Sequence, residues 1–155
     1  MNKFNDNSPK YRLLAILKLL IESPYQYTKK MLAYLATHEE LLSLNQDITV
    51  VTVHPPVPPR VKKAVGKETL ESYYQEDADK ILKPIKQFLN NHALEAKFVT
   101  KVGPVGETIA KFATAGKFDL VVMGSHGHGN IVNMVMGSVV NQVLGTCSVP
   151  VLIVR

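Results

Sequence analysis

The run Ile48–Val53, ITVVTV, constrains the fold more than any other segment, because all six residues are β-branched and none is charged. Branching at Cβ stiffens χ1 and suits a pleated strand. A continuous run of this kind reads as a strand covered on both faces, as the inner strands of parallel sheets are. Three further segments read as strands: Ala96–Val102, which alternates, then the short apolar runs Leu120–Met123 and Val151–Val154. Helical periods lie between them. Lys67–Asn91 carries Leu70, Tyr73, Tyr74, Ile81, Leu82, Ile85, Phe88 and Leu89 at helical spacing, with Pro84 expected to kink it. Glu107–Ala115 follows a Gly-Pro-Val-Gly turn, and Asn133–Leu144 is the last helical stretch.

Strands alternating with helices predict an α/β chain, doubly wound, with helices on both faces of a parallel sheet and right-handed crossovers. The N-terminal third is open to two readings. Arg12–Leu17 fits a first strand followed by a helix over Tyr27–Leu42, yet RLLAILKLLIES also fits the start of a helix, and periodicity does not decide short apolar runs. Pro55–Arg60, PPVPPR, can neither pair as an inner strand nor continue a helix, so it is expected to be a surface connection.

With 155 residues, 46% of them hydrophobic, the chain is long enough to bury a core as one domain spanning 1–155, with 1–10 as a flexible lead. Cys147 is the one cysteine, which excludes an internal disulfide framework. The longest apolar stretch, Leu13–Ile21, is interrupted by Lys18 and too short to span a bilayer, and MNKFNDNSPK carries no secretory pattern. The expected location is cytoplasmic, with no membrane partner. The net charge of +5 gathers at Arg60, Lys62, Lys63 and Lys67, followed by Glu68, Glu71, Glu76, Asp77 and Asp79. Aromatic residues do not interleave with the basic ones, so a solvated surface is expected here rather than a nucleic-acid interface.

The chemistry concentrates in Asp119–Val139, DLVVMGSHGHGNIVNMVMGSV. A strand runs into Gly124, Gly127 and Gly129, and after an apolar segment Gly137-Ser138 falls in the first half of the last helix. Glycines at the carboxyl end of a parallel strand let backbone amides approach an anion, and open α/β sheets bind ligands at that edge. From Leu120 through Val154 there is no Asp, Glu, Lys or Arg. A phosphate here would be held by backbone N–H groups, Ser125, Ser138, the two loop histidines and a helix N-terminal field. The spacing is not that of a P-loop and no carboxylate stands nearby as a base or metal ligand, so binding is expected rather than cleavage. On spacing alone, a tight turn without a ligand explains the glycines equally well.

The pattern Gly124-x-x-Gly127, nine residues, then Gly137-Ser138 resembles the G-2x-G-9x-G-(S/T) nucleotide motif of the universal stress protein family, in its ATP-motif-bearing branch. TVVTVHPPVP, VGPVGETIAKFA, FDLVVMGSHG and SVPVLIV extend the resemblance over about residues 47–155. It implies a five-stranded parallel sheet in the order 3-2-1-4-5, a homodimer and bound ATP. By the same resemblance, Val53 meets the adenine, and Met123 and Gly124 lie near the ribose and phosphates. His126 and Gly127 cradle the triphosphate through their backbones, and Gly137, Ser138, Val139 and Val140 complete that cradle. One departure stands out. Relatives with the motif carry an Asp at the end of the first strand, whereas this chain reads ILKLLIESP there and no frame supplies one. Loss of that acceptor would cost roughly 1.5–3 kcal/mol.

Other residues have plainer readings. His126 and His128 lack a nearby Cys, Asp or Glu to complete a zinc site, and Cys147 lacks an activating base or cation in sequence. His38 and His92 read as surface helix residues, His54 as a strand-end residue, and Met123, Met134 and Met136 as packing residues. If Val151–Val154 is an outer strand, as the family order implies, its open edge calls for a two-fold partner. The expectation is therefore a cytoplasmic homodimer of the stress response that binds ATP, with Mg²⁺ carried by the nucleotide. It would signal to an unidentified protein partner, with hydrolysis slow or absent. The alternative is an interaction module of the same fold that has lost its nucleotide. An adenylating or ATP-cleaving enzyme would need an SGGxDS-like or HxGH-like loop, and neither string occurs.

Overall fold

The computed structural model describes residues 12–16, 33–34, 37–38, 47–125 and 136–154. Strands β1 (Arg12–Ile16), β2 (Asp47–His54), β3 (Ala96–Val102), β4 (Leu120–Gly124) and β5 (Val151–Val154) pair in parallel, in the order β3-β2-β1-β4-β5. Four helices are described: α1 (Pro59–Val65), α2 (Lys67–Asn91), α3 (Val105–Ala115) and α4 (Ser138–Thr146). Pairing with β2 on one side and β4 on the other makes Arg12–Ile16 a strand, which removes the helical alternative for these residues.

β2 is buried along seven of its eight residues, and its two faces serve two cores. Ile48 and Val50 pack with Ala78, Leu82, Ile85 and Leu89, a single stripe along α2 at helical spacing. Val51 and Val53 turn the other way, onto Ile109 and Ala113 of α3 and Val139, Val140 and Val143 of α4. Alternation along the strand thus divides a run of uniform composition between two helix layers.

Helices cover both faces of the sheet, α2 on one and α3 and α4 on the other. The β2-to-β3 crossover holds two helices rather than one, and α1 contributes no buried residue to either layer. The Pro-rich connection ends earlier than expected, because Pro59 sits at the first helical position, where its fixed φ suits a helix and its missing N–H costs nothing. Gly66, at φ 83 and ψ 161, separates α1 from α2 with a backbone conformation that side chains disfavour. α2 runs continuously through Pro84.

Two helix starts also move. α3 begins at Val105, inside the expected turn, with Thr108 N–H donating to Pro104 O at 2.8 Å. α4 begins at Ser138 instead of Asn133, and Gly137 precedes it in extended backbone (φ −71, ψ 155), so Gly137-Ser138 stands at the helix start and not within its first half. Of the helix expected over Tyr27–Leu42, Ala33, Tyr34 and Thr37 are helical, and Tyr34 packs against the α2-side core. The rest of that helix, the flexible lead 1–10 and residues 133–135 lie outside the described residues.

Candidate functional site

β1 is the point at which strand order reverses, so the crevice beyond its carboxyl end and that of β4 is where such sheets take ligands. The register brings the neighbours level: Ile16 faces Val51 of β2 and Met123 of β4, and Val53 stands two residues further toward the edge. Val53, Met123, Val139 and Val140 share one apolar cluster, each almost fully buried. Gly124 and Gly137 are half-exposed above it and Ser138 is exposed. The side chains of Val139 and Val140 belong to the core, which leaves only their main chain to face a guest. His126 and Gly127 lie outside the described residues, as do Gly129 and His128.

Main-chain bonds hold this corner together. Ser125 N–H donates to Val154 O at 2.9 Å, extending the β4–β5 pairing past Gly124. Ser125 O in turn accepts from Gly137 N–H at 2.9 Å, which ties the α4 start to the β4 exit. Asn141 N–H donates to Gly137 O, so the helix begins at Gly137, and the first-turn amides that follow have no partner within the helix. That turn carries no acidic residue to compete for them. Among the described residues these first-turn amides have no hydrogen-bond partner, and they stand beside two glycines over an apolar floor.

The opposite face of the β2 end holds a different arrangement, which the sequence reading took as a plain strand-end histidine. His54 is 4% exposed, with Nδ1 3.3 Å from Asp77 Oδ2 and its ring 5.5 Å from that of Tyr74. Burial pulls its pKa below 6.5, and the Asp77 carboxylate opposes this. A neutral imidazole donating from Nδ1 to Asp77 leaves Nε2 as a bare acceptor. That atom, like Thr52 Oγ1, is buried with no hydrogen-bond partner among the described residues. Tyr74 Oη accepts from Val57 N–H at 3.1 Å and donates to Pro55 O at 3.4 Å, so the chain leaving β2 is fastened to α2. The signal for this network was the three-residue spacing of Tyr74 and Asp77, which puts both on one helix face. Among the described residues no group of three His, Cys, Asp or Glu could hold a metal, and no helix is long and apolar enough to cross a membrane.

An open parallel sheet with helices on both faces and a strand-order reversal at β1 defines the open α/β class. The universal stress protein family model matches residues 26–155, and the chain belongs to that family. The universal stress protein MJ0577 of Methanocaldococcus jannaschii is 33% identical over 86 residues, which cover 56% of this chain and 53% of that protein. The chain therefore spans about half the length of that curated relative. Over the solved structure of MJ0577 the likeness covers 94% of this chain and 96% of that one, with a TM-score of 0.71 and 23% identity. A universal stress protein from Archaeoglobus fulgidus in complex with dAMP has a TM-score of 0.59 at 16% identity, covering 95% and 98% of the two chains. A family member from Arabidopsis thaliana with AMP bound has a TM-score of 0.64 at 10% identity, covering 93% and 90%. At these identities the structures establish likeness of fold.

Proposed function

We propose that the protein binds an adenine nucleotide, ATP in the reading favoured here, in the crevice at the carboxyl edge of β1 and β4. The observation that carries this is the joint at Ser125, where main-chain bonds tie the β4 exit to the end of β5 and to the start of α4. The half-exposed glycines, and first-turn amides with no hydrogen-bond partner among the described residues, suit a polyphosphate. Val53 is assigned to the adenine and Met123 to the ribose, both through their main chain because their side chains are buried, and Gly124, Gly137, Ser138, Val139 and Val140 face the phosphates through their backbones. His126 and Gly127 are assigned to the same cradle from the sequence motif. The AMP and dAMP complexes of relatives support the choice of nucleotide. No protein carboxylate serves a metal in this reading, so Mg²⁺ arrives with the nucleotide and the chain acts as a binder in the stress response, not as an enzyme.

β5 is an edge strand of the sheet, apolar and half-exposed over Val151, Leu152 and Ile153, and we assign its edge, which pairs with no other strand among the described residues, to antiparallel pairing with a second copy. Sedimentation is expected to give a dimer at tens of micromolar, and a monomer would remove this assignment.

The test of nucleotide binding is direct. Denaturing the purified protein should release adenine nucleotide into the supernatant, and ATP should raise the melting temperature of the emptied protein. Absence of both would favour the second reading, a nucleotide-free interaction module in a cytoplasmic complex. The absence of an Asp from ILKLLIESP is what keeps that reading alive.

A further inference from the structure

Residues 55–65 leave the body of the protein as an arm with few attachments. α1 buries none of its seven residues, and Pro55, Pro56 and Pro58 before it are exposed. Among the described residues, two hydrogen bonds hold this arm from outside, apart from Gly66 N–H on Lys62 O at the junction with α2. Both belong to the Tyr74 hydroxyl, which accepts from Val57 N–H and donates to Pro55 O. At the far end Gly66, at φ 83 with open space where a Cβ would stand, gives the arm a swivel. A segment with one tether and so little burial lies at the low end of local stability.

The tether is backed by an ionisable group. The buried His54 ring lies 5.5 Å from the Tyr74 ring, and its Nδ1 is 3.3 Å from Asp77 Oδ2 on the same face of α2. While neutral, the ring donates from Nδ1 and keeps Nε2 as an acceptor. Taking up a proton turns Nε2 into a donor, buried with no acceptor among the described residues. Swinging out to water satisfies that donor. It also removes the ring behind Tyr74, and with it the packing that keeps the Tyr74 hydroxyl on the arm.

The charges around the ring fit this behaviour. Burial pulls the pKa of His54 below 6.5, and Asp77, facing it from α2, opposes this. On β3 its register partner is Val102, and the adjacent Lys101 lies over the Phe112 ring on the other face of the sheet. β1 ends at Ile16, level with Val51 and short of His54. Lys62, Lys67 and Glu71 share a groove with Tyr74 rather than with the imidazole.

We infer that His54 is a pH-operated latch: its neutral ring keeps Tyr74 bonded to Pro55 and Val57, and its protonation frees α1, with Arg60, Lys62 and Lys63, from α2. The latch is closed above about pH 6.5 and opens as pH falls toward the lowered folded value.

Nitroxide mobility, read by electron paramagnetic resonance on the full chain, tests the latch in a Cys147→Ser background with one introduced cysteine. Val61→Cys puts the label on α1 at a residue 43% exposed, and Lys111→Cys puts a control on the exposed surface of α3. Between about pH 7.5 and about pH 5 the mobile fraction on α1 should rise at least about threefold, with the α3 label unchanged. His54→Gln does not titrate and still donates to Asp77, so it should show no such rise. Asp77→Asn keeps an acceptor for Nδ1–H but removes the charge that favours protonation, so release should move to lower pH. Tyr74→Phe should leave the α1 label mobile at both pH values. A flat response in the native protein would overturn the inference, as would a full rise retained by His54→Gln or an immobile label in Tyr74→Phe. An equal rise on α3 would mean general unfolding and would end the proposal too. Where His54→Gln fails to fold, Asp77→Asn decides, and release at unchanged or higher pH would count against the latch. No arm of the experiment passes through nucleotide binding, so either reading can fail without the other.

Discussion

The exits of β4 and β2 are secured by different means. At the β4 exit, Ser125, Val154 and Gly137 are joined through backbone N–H and C=O groups, in a stretch without charge. At the β2 exit, His54, Asp77 and Tyr74 hold the chain through side chains, one of them a buried ionisable ring. Main-chain bonds are indifferent to pH and leave amides free to meet an anion. A buried imidazole ties structure to protonation and needs every polar atom accounted for, and here Nε2 is not. One exit is thus closed by bonds that need no particular side chain, while the other depends on the identity of three side chains.

The largest effect should come from the apolar floor beneath the β4 corner. Met123→Ala removes a fully buried side chain from the core against α3 and α4 and should cost about 2–5 kcal/mol in denaturant unfolding. A loss below 1 kcal/mol would mean the floor repacks around the gap. Next, Asp77→Ala leaves the His54 Nδ1–H buried without its acceptor and should destabilise the protein by about 1–3 kcal/mol, with nucleotide affinity little changed. If affinity fell as far as stability, the two corners would not be separate.

The reverse pattern is expected of Gly137→Val. Its φ of −71 and ψ of 155 are open to any residue, so the melting temperature should hold. Calorimetric affinity for ATP should drop by at least about tenfold, because a branched side chain would crowd the amides at the α4 start. Unchanged titration would remove the main-chain cradle from the nucleotide reading.

The smallest effect concerns pH. The folded pKa of His54 lies below 6.5, so the unfolded chain takes up this proton first as pH falls. The neutral ring's contribution is therefore fully present above about pH 6.5 and declines as pH drops from there toward the lowered folded value. Melting temperature should fall across that window in the native protein and fall less in His54→Asn. An identical slope in both would place the titration elsewhere.

Legibility in the sequence varied with how local the deciding forces were. Lys67–Asn91 and Ala96–Val102 were bounded correctly, since an apolar stripe at helical spacing and an alternating run between turn residues are local signals. Arg12–Ile16 was undecidable, because LLAI fits either period and pairing with β2 and β4 chose between them. α1 was missed because prolines suppress strand and helix alike until Pro59 is recognised as a helix start. The candidate site rests on a glycine pattern and a resemblance, with His126 and Gly127 outside the described residues. His54 was not legible, for its role depends on Asp77, 23 positions away in the chain.

The sequence by itself determined where chemistry could lie: an uncharged stretch from Leu120 to Val154, glycines after a strand, and a run at Ile48–Val53 that could only be buried. These follow from properties each residue carries with it, such as charge, branching and the lack of a Cβ. Only the tertiary structure decided that Val53 and His54, adjacent in the chain, serve opposite faces, one against α3 and α4 and the other against α2. Burial and partnership are relations between distant segments, and they exist only once the sheet sets those segments side by side.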